Sequence, residues 1–193
     1  MKSESTPRGR EDVREALIAA AAELFALRGP TAVSVRELAQ HAKVNHGLVH
    51  RHFGSKHGLL QAVLSHLAAD IASQVGEASP DEALGGLVGS VLGATSKQGA
   101  WLRIMAWAIL DGADIGDIQG QFPMAERMVA AARANSKGTL DPEARVTLIM
   151  SAGLGMMLFG PFLQRATGQD DTQWARSRQQ ILSLVGRGGS PFA

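Results

Sequence analysis

The stretch Ser34–Leu64 reads SVRELAQHAKVNHGLVHRHFGSKHGLLQAVL, and its spacing decides the fold. Ser34 is a good N-cap, and Glu37 three residues later completes a capping-box pattern, so a helix is predicted from Ser34 to about Ala42. It turns Val35, Leu38 and Ala39 inward. Three or four residues later a short helix is predicted from about His46 to His52. Ser55 then caps a longer one, which Leu59, Leu60, Val63, Leu64, Leu67 and Ile71 carry to about Val75. Small Ala39 and Ala42 let the first two helices approach closely, and Val44, Leu48, Val49 and Phe53 supply the apolar contacts that fix their angle. Two short helices joined by a tight turn form a helix-turn-helix.

Upstream, Val13, Leu17, Ala20, Leu24 and Leu27 recur at helical spacing with Phe25 beside them. Glu11, Asp12 and Glu15 favour the positive end of that helix, and Gly29-Pro30 stops it. Residues 1–9 read as a disordered arm. Downstream, helices are predicted near 81–96, 99–111, 122–136, 141–166 and 170–186, with turn signals between them. Few segments alternate with period two, so the expected class is all-α, with about nine helices. The domain reading is an arm over 1–9, a helix-turn-helix domain over 10–56, and a helical domain over 57–193.

Bulk properties narrow the function. The 193 residues are 45% hydrophobic and 19% charged, enough to bury a core. The absence of cysteine excludes disulfides, thiolate zinc sites and cysteine nucleophiles. Residues 1–60 hold nine Lys/Arg against six Asp/Glu, and the remainder ten against twelve. Five of the six histidines (His41, His46, His50, His52 and His57) fall in the basic part, which points to an anionic partner for that part alone. The polar start lacks a signal-peptide pattern, and a cytoplasmic location is expected. Val146–Gln164 is 19 uncharged residues, about the length of a membrane span. With no second span or aromatic belt, it is read as a buried soluble helix.

The outward face of the short helix carries Asn45, His46, His50 and Arg51, all able to hydrogen-bond phosphate or base edges. Ser34 and Arg36 begin one helix, Ser55 and Lys56 another, and helix N-termini suit phosphates. His46 and His50 are four apart, a metal-ligating spacing. Gly47 stands where a zinc-protease pattern needs glutamate, so no metal is expected.

These residues resemble the tetracycline-repressor (TetR) family of bacterial regulators. The likeness runs from AAELFALRGP, Ala21–Pro30, through Ser34–Leu64, and convincingly covers residues 10–70. It is carried by Leu38-Ala39, Ala42 and Val44, Gly47, His52-Phe53, Ser55-Lys56 and Leu59-Leu60 in register. The resemblance implies a regulator that reads an operator as a homodimer and responds to a small molecule. The residues expected at DNA are Ser34, Arg36, Lys43, Asn45, His46, Gly47, Leu48, His50, Arg51, His52 and Lys56, with Arg51 at a family contact position. Two departures matter. Lys43 stands where the family usually has a glycine with positive φ, at a cost of about 1 kcal/mol if that turn is kept. His50 stands where the family usually has a tyrosine, often on a phosphate, which makes that contact sensitive to pH.

The remainder holds no catalytic constellation, so no enzyme and no cofactor are expected. Asp111, Asp114 and Asp117 lack the glutamate that closes a calcium loop and read as a solvated turn. Methionines and aromatics at helical spacing are ordinarily core, yet together they suit an adaptable pocket for an apolar or aromatic effector. The candidates are Trp101, Met105, Trp107, Met124, Met128, Met150, Met157 and Phe162, with Arg103 as a polar handle. The last two helices are expected to pair in a dimer through Gly153, Met156, Gly160, Trp174, Arg178, Ile181 and Val185. The partners expected are a pseudo-palindromic DNA operator, a small effector and a second copy. The alternative from another class is a helical binding protein for an apolar ligand whose N-terminal module no longer reads DNA.

Overall fold

A computed structural model describes residues 9–76, 84–97, 99–134 and 140–186. Among them there are ten helices and no strand: α1 (Arg10–Arg28), α2 (Val35–His41), α3 (Gly47–Phe53), α4 (Lys56–Val75), α5 (Leu84–Lys97), α6 (Gly99–Leu110), α7 (Ile115–Ile118), α8 (Pro123–Ala134), α9 (Pro142–Ala166) and α10 (Asp171–Gly186). The all-α reading holds. The helix beyond the expected nine is α7, a single turn capped by Asp114, whose carboxylate accepts the Gly116 N–H at 2.7 Å. The segment that opened the fifth predicted helix, 81–83, and the arm up to residue 8 lie outside the described residues.

Packing divides the chain into two compact units, the first of residues up to 70 with 98–121 and the second of 71–97 with 122 onward. In the first unit, α1 packs on α2, α3 and α6. Its core joins Leu17, Ala21 and Phe25 of α1 to Leu38, Val49, Leu59, Val63, Leu64 and Ile104. Phe25, Leu17, Leu38 and Leu64 have no exposed surface, and each contributes about 1.5–3 kcal/mol by leaving water. Leu27, expected on the inner face of α1, is instead 67% exposed, and Ile18 and Ala21 complete the buried stripe. In the second unit, α8, α9 and α5 share a core of Leu84, Leu87, Val88, Met128, Ala132, Val146 and Ile149, and α10 packs on α9 and α5. Asp141 caps α9, accepting the Ala144 N–H at 2.7 Å. By length and composition α9 could cross a membrane. Its Val146, Ile149, Gly153 and Gly160 are buried, and so is Arg145, but only 22% of its apolar stretch is. The expected buried helix thus has one open side, on which Phe159 and Phe162 are exposed.

Two backbone features set the position of α3. The chain leaves α2 with Lys43 at φ 56°, the one non-glycine positive φ among the described residues. Val44 N–H reaches the Ala39 carbonyl at 2.9 Å and Lys43 N–H the Gln40 carbonyl at 3.1 Å. This is a Schellman closure, whose left-handed residue is ordinarily glycine. The turn is therefore kept although a lysine occupies it. At the other end, α3 and α4 meet at Gly58, where an added Cβ would lie 2.1 Å from the Phe53 carbonyl oxygen.

Lys43→Gly is expected to stabilise the protein by about 0.5–1 kcal/mol by relieving the left-handed conformation. A chemical denaturation midpoint that does not rise refutes this. Gly58→Ala must push α3 away from α4 and is expected to cost about 1–3 kcal/mol in the same assay.

Candidate nucleic-acid interface

The helix-turn-helix is assembled by short-range bonds. Ser34 Oγ accepts the Glu37 N–H at 3.2 Å, which gives α2 its start. The Glu37 carboxylate turns to the Arg28 guanidinium at the end of α1 instead of closing the other half of a capping box. His41 Nε2 lies 2.9 Å from the Glu23 carboxylate, a second link between α2 and α1. At the entrance to α3, the Asn45 side-chain oxygen accepts the Gly47 N–H at 2.9 Å. At its exit, Gly54 N–H bonds the His50 carbonyl at 2.9 Å, and His50 Nδ1 lies 3.1 Å from the Gly54 carbonyl oxygen. Ser55 Oγ then accepts the Gly58 N–H at 3.0 Å and starts α4.

The two faces of α3 differ sharply. Val49 is wholly buried, and Leu48 and Phe53 pack beside it on the core of the first unit. The Arg14 guanidinium sits 5.9 Å from the centre of the Phe53 ring, within cation–π range. The opposite face exposes His46, Gly47, His50 and Arg51, with Asn45 beside them. These positions repeat every three to four residues and so form one continuous strip. Arg36 and Lys43, from α2 and the turn, are exposed as well. The strip combines cations with hydrogen-bonding groups on a rigid support, as contact with phosphates and base edges requires.

Not every candidate is on the strip. Ser34 is exposed but its hydroxyl is engaged in capping. Leu48 and His52 are half-buried, and the His52 ring lies 6.1 Å from that of Phe53. Lys56 differs most from expectation. Its ammonium donates to the carbonyls of Pro30, at 3.0 Å, and Val33, at 3.1 Å, with that of Thr31 at 3.4 Å. It thus ties α4 to the loop between α1 and α2, beside a cavity of about 280 Å3 that Thr31, His57 and Asp111 also line. Gly58, which the sequence analysis did not single out, lies where α3 and α4 meet, against the Phe53 carbonyl oxygen.

The pocket candidates fall in both units. In the first, Met105 is buried, Trp101 donates from Nε1 to Gln119 at 3.1 Å, Trp107 covers Gly29, and Arg103 is exposed. In the second, Met128 is buried with Met150 against it, Met124 and Met157 are half-buried, and Phe162 is 69% exposed. Among the dimer candidates, Gly153 lies beneath Leu92 of α5, where an added Cβ would come within 2.5 Å, so its small size serves packing within the chain. Gly160 lies beside Trp174. Met156 and Trp174 are half-buried, while Arg178 and Ile181 are exposed. The side chain of Val185 lies outside the described residues.

Residues 17–63 match the family model of bacterial regulatory proteins of the tetR family. The HTH-type transcriptional repressor Rv3405c of Mycobacterium tuberculosis is 36% identical over 181 residues, which covers 94% of this chain and 91% of that protein. The HTH-type transcriptional regulator BetI of Brucella melitensis is 27% identical over 164 residues, 81% of each chain. Among solved structures, the TetR family regulator PfmR from Thermus thermophilus shares the fold with a TM-score of 0.64 at 19% identity, over 92% of this chain and 97% of its own. A helix-turn-helix with an open α3 face, set in an all-helical chain related to such a regulator along nearly its whole length, leads to one conclusion: this protein is a transcriptional regulator of the tetR family and not an enzyme.

Proposed function

We propose that the protein is a homodimeric repressor that binds a pseudo-palindromic operator and leaves it when a small apolar or aromatic effector binds. The observation that carries the proposal is the division of α3, buried at Val49 and open along His46, Gly47, His50 and Arg51. Residues 10–56 serve as the reading head and residues 57–193 as the effector and dimerisation part. One short helix reads only a few base pairs, so two copies place their α3 helices in successive major grooves about 34 Å apart. The name of the mycobacterial relative, a repressor, supports the sign of regulation. The protein acts in the cytoplasm, where its DNA is.

Dimerisation is supported by the surface of α9 and α10. Phe159, Phe162, Ile181 and Leu184 of these two paired helices are exposed by 59%, 69%, 37% and 48%, and exposed large apolar side chains are the material of association sites. Phe162, first placed with the pocket, fits this surface better. For the effector we propose a site among Met124, Met128, Met150 and Met157, whose thioethers adapt to irregular ligands. A coupling of roughly 1–3 kcal/mol between effector and operator changes affinity by about 5- to 150-fold.

Arg51→Ala is expected to weaken binding to DNA from upstream of the protein's own gene by about 10-fold or more in a gel shift, since a charge-assisted bond is lost. Unchanged affinity removes Arg51 from the interface. Light scattering at micromolar concentration is expected to give a dimer for both the wild type and this variant, and a monomer rejects the α9–α10 interface.

A further inference from the structure

His50 is held more tightly than its exposed neighbours on α3. Its Nδ1 lies 3.1 Å from the Gly54 carbonyl oxygen. A carbonyl can only accept, so the hydrogen of this bond sits on Nδ1. Gly54 answers with its own N–H to the His50 carbonyl at 2.9 Å. The left-handed bend at Gly54, φ 73° and ψ −42°, lets both bonds close between the same two residues. For a neutral ring, this bond selects the tautomer that carries its hydrogen on Nδ1.

That tautomer decides what the ring can recognise. With Nδ1 protonated, the neutral imidazole presents at Nε2 a lone pair and no hydrogen. No described contact engages Nε2, and His50 stands in the middle of the exposed strip, one turn beyond His46 and beside Arg51. A phosphate oxygen also offers only lone pairs, so the neutral ring gives it no hydrogen bond at Nε2. The groups that fit are donors, and the donors on base edges in the major groove are the amino groups at adenine N6 and cytosine N4. Arg36, Lys43 and Arg51 are the exposed cations nearby in sequence that suit phosphates. We infer that His50 is a specificity-determining residue that accepts a hydrogen bond from the exocyclic amino group of an adenine or cytosine. It does not act as a phosphate clamp. The inference rests on α3 being the DNA-reading helix.

The test uses the full chain and a pool of randomised DNA duplexes at pH 8, where imidazoles are ordinarily neutral. Wild type, His50→Ala and His50→Lys are each selected on the pool, and binding to the best site is titrated by fluorescence anisotropy from 50 to 300 mM salt. For the wild type, one position of each half-site is expected to select adenine or cytosine, and the base selected identifies the amino group. In His50→Ala the preference at that position alone disappears, affinity falls about 3- to 10-fold, and the slope of log affinity against log salt is unchanged. His50→Lys offers only donors and is expected to move the preference toward guanine, with its O6 and N7 acceptors. The inference is overturned if His50→Ala keeps every base preference, whether affinity is unchanged or falls equally for all sequences with a slope smaller by about 1. If the wild type selects no sequence at all, the reading of α3 as a recognition helix is what fails.

Discussion

Seven residues are too few for a helix to persist by itself in water, and α3 is seven residues long. Its order is borrowed. Val49 is sunk completely into the first unit's core, the Asn45 side chain closes the entrance, and the paired bonds between His50 and Gly54 close the exit. Helices α1, α2 and α4 are arranged around that need: α1 supplies the floor, α2 and its Schellman turn set the angle of entry, and the close meeting at Gly58 sets the angle of exit. A short helix built this way takes its order from its buried side, and its open side is not needed for packing.

The sequence made the architecture legible wherever the signal was local. Ser34 and Ser55 cap where their residue types suggested, and Lys43 keeps the left-handed turn at a position where the family usually has glycine. What escaped was set by neighbours distant in the chain. Four residues are too few to reveal a period, so α7 looked like a turn. The Lys56 side chain could reach outward or back, and only the carbonyls of Pro30, Thr31 and Val33 gathered beside it determine which. Periodicity marked Met105 and Met128 as inward-facing but could not say that they belong to two different cores. Gly153 was legible as a place of close approach, yet not that Leu92 of the same chain would fill it.

The two units also differ in how their apolar residues are used. The first sinks Val49 of α3 into its core and keeps a polar exterior on that helix, while Leu27, Ile109 and Leu110 stay exposed elsewhere on the unit. The second leaves Phe159, Phe162 and Leu184 on the surface of α9 and α10. The composition of α9 thus divides between one side that packs on α5, α8 and α10 and another that leaves apolar side chains exposed.

The pairing of Glu37 with Arg28 has an effect beyond tying α2 to α1. Glu37 is the one acidic residue between Ser34 and Lys56, and a guanidinium from outside that stretch neutralises it. The stretch therefore carries no unpaired acidic side chain beside Arg36, Lys43, Arg51 and Lys56. At about 0.1 M salt exposed charges are screened beyond roughly 10 Å, so this balance acts on an anion only when it is close to the stretch.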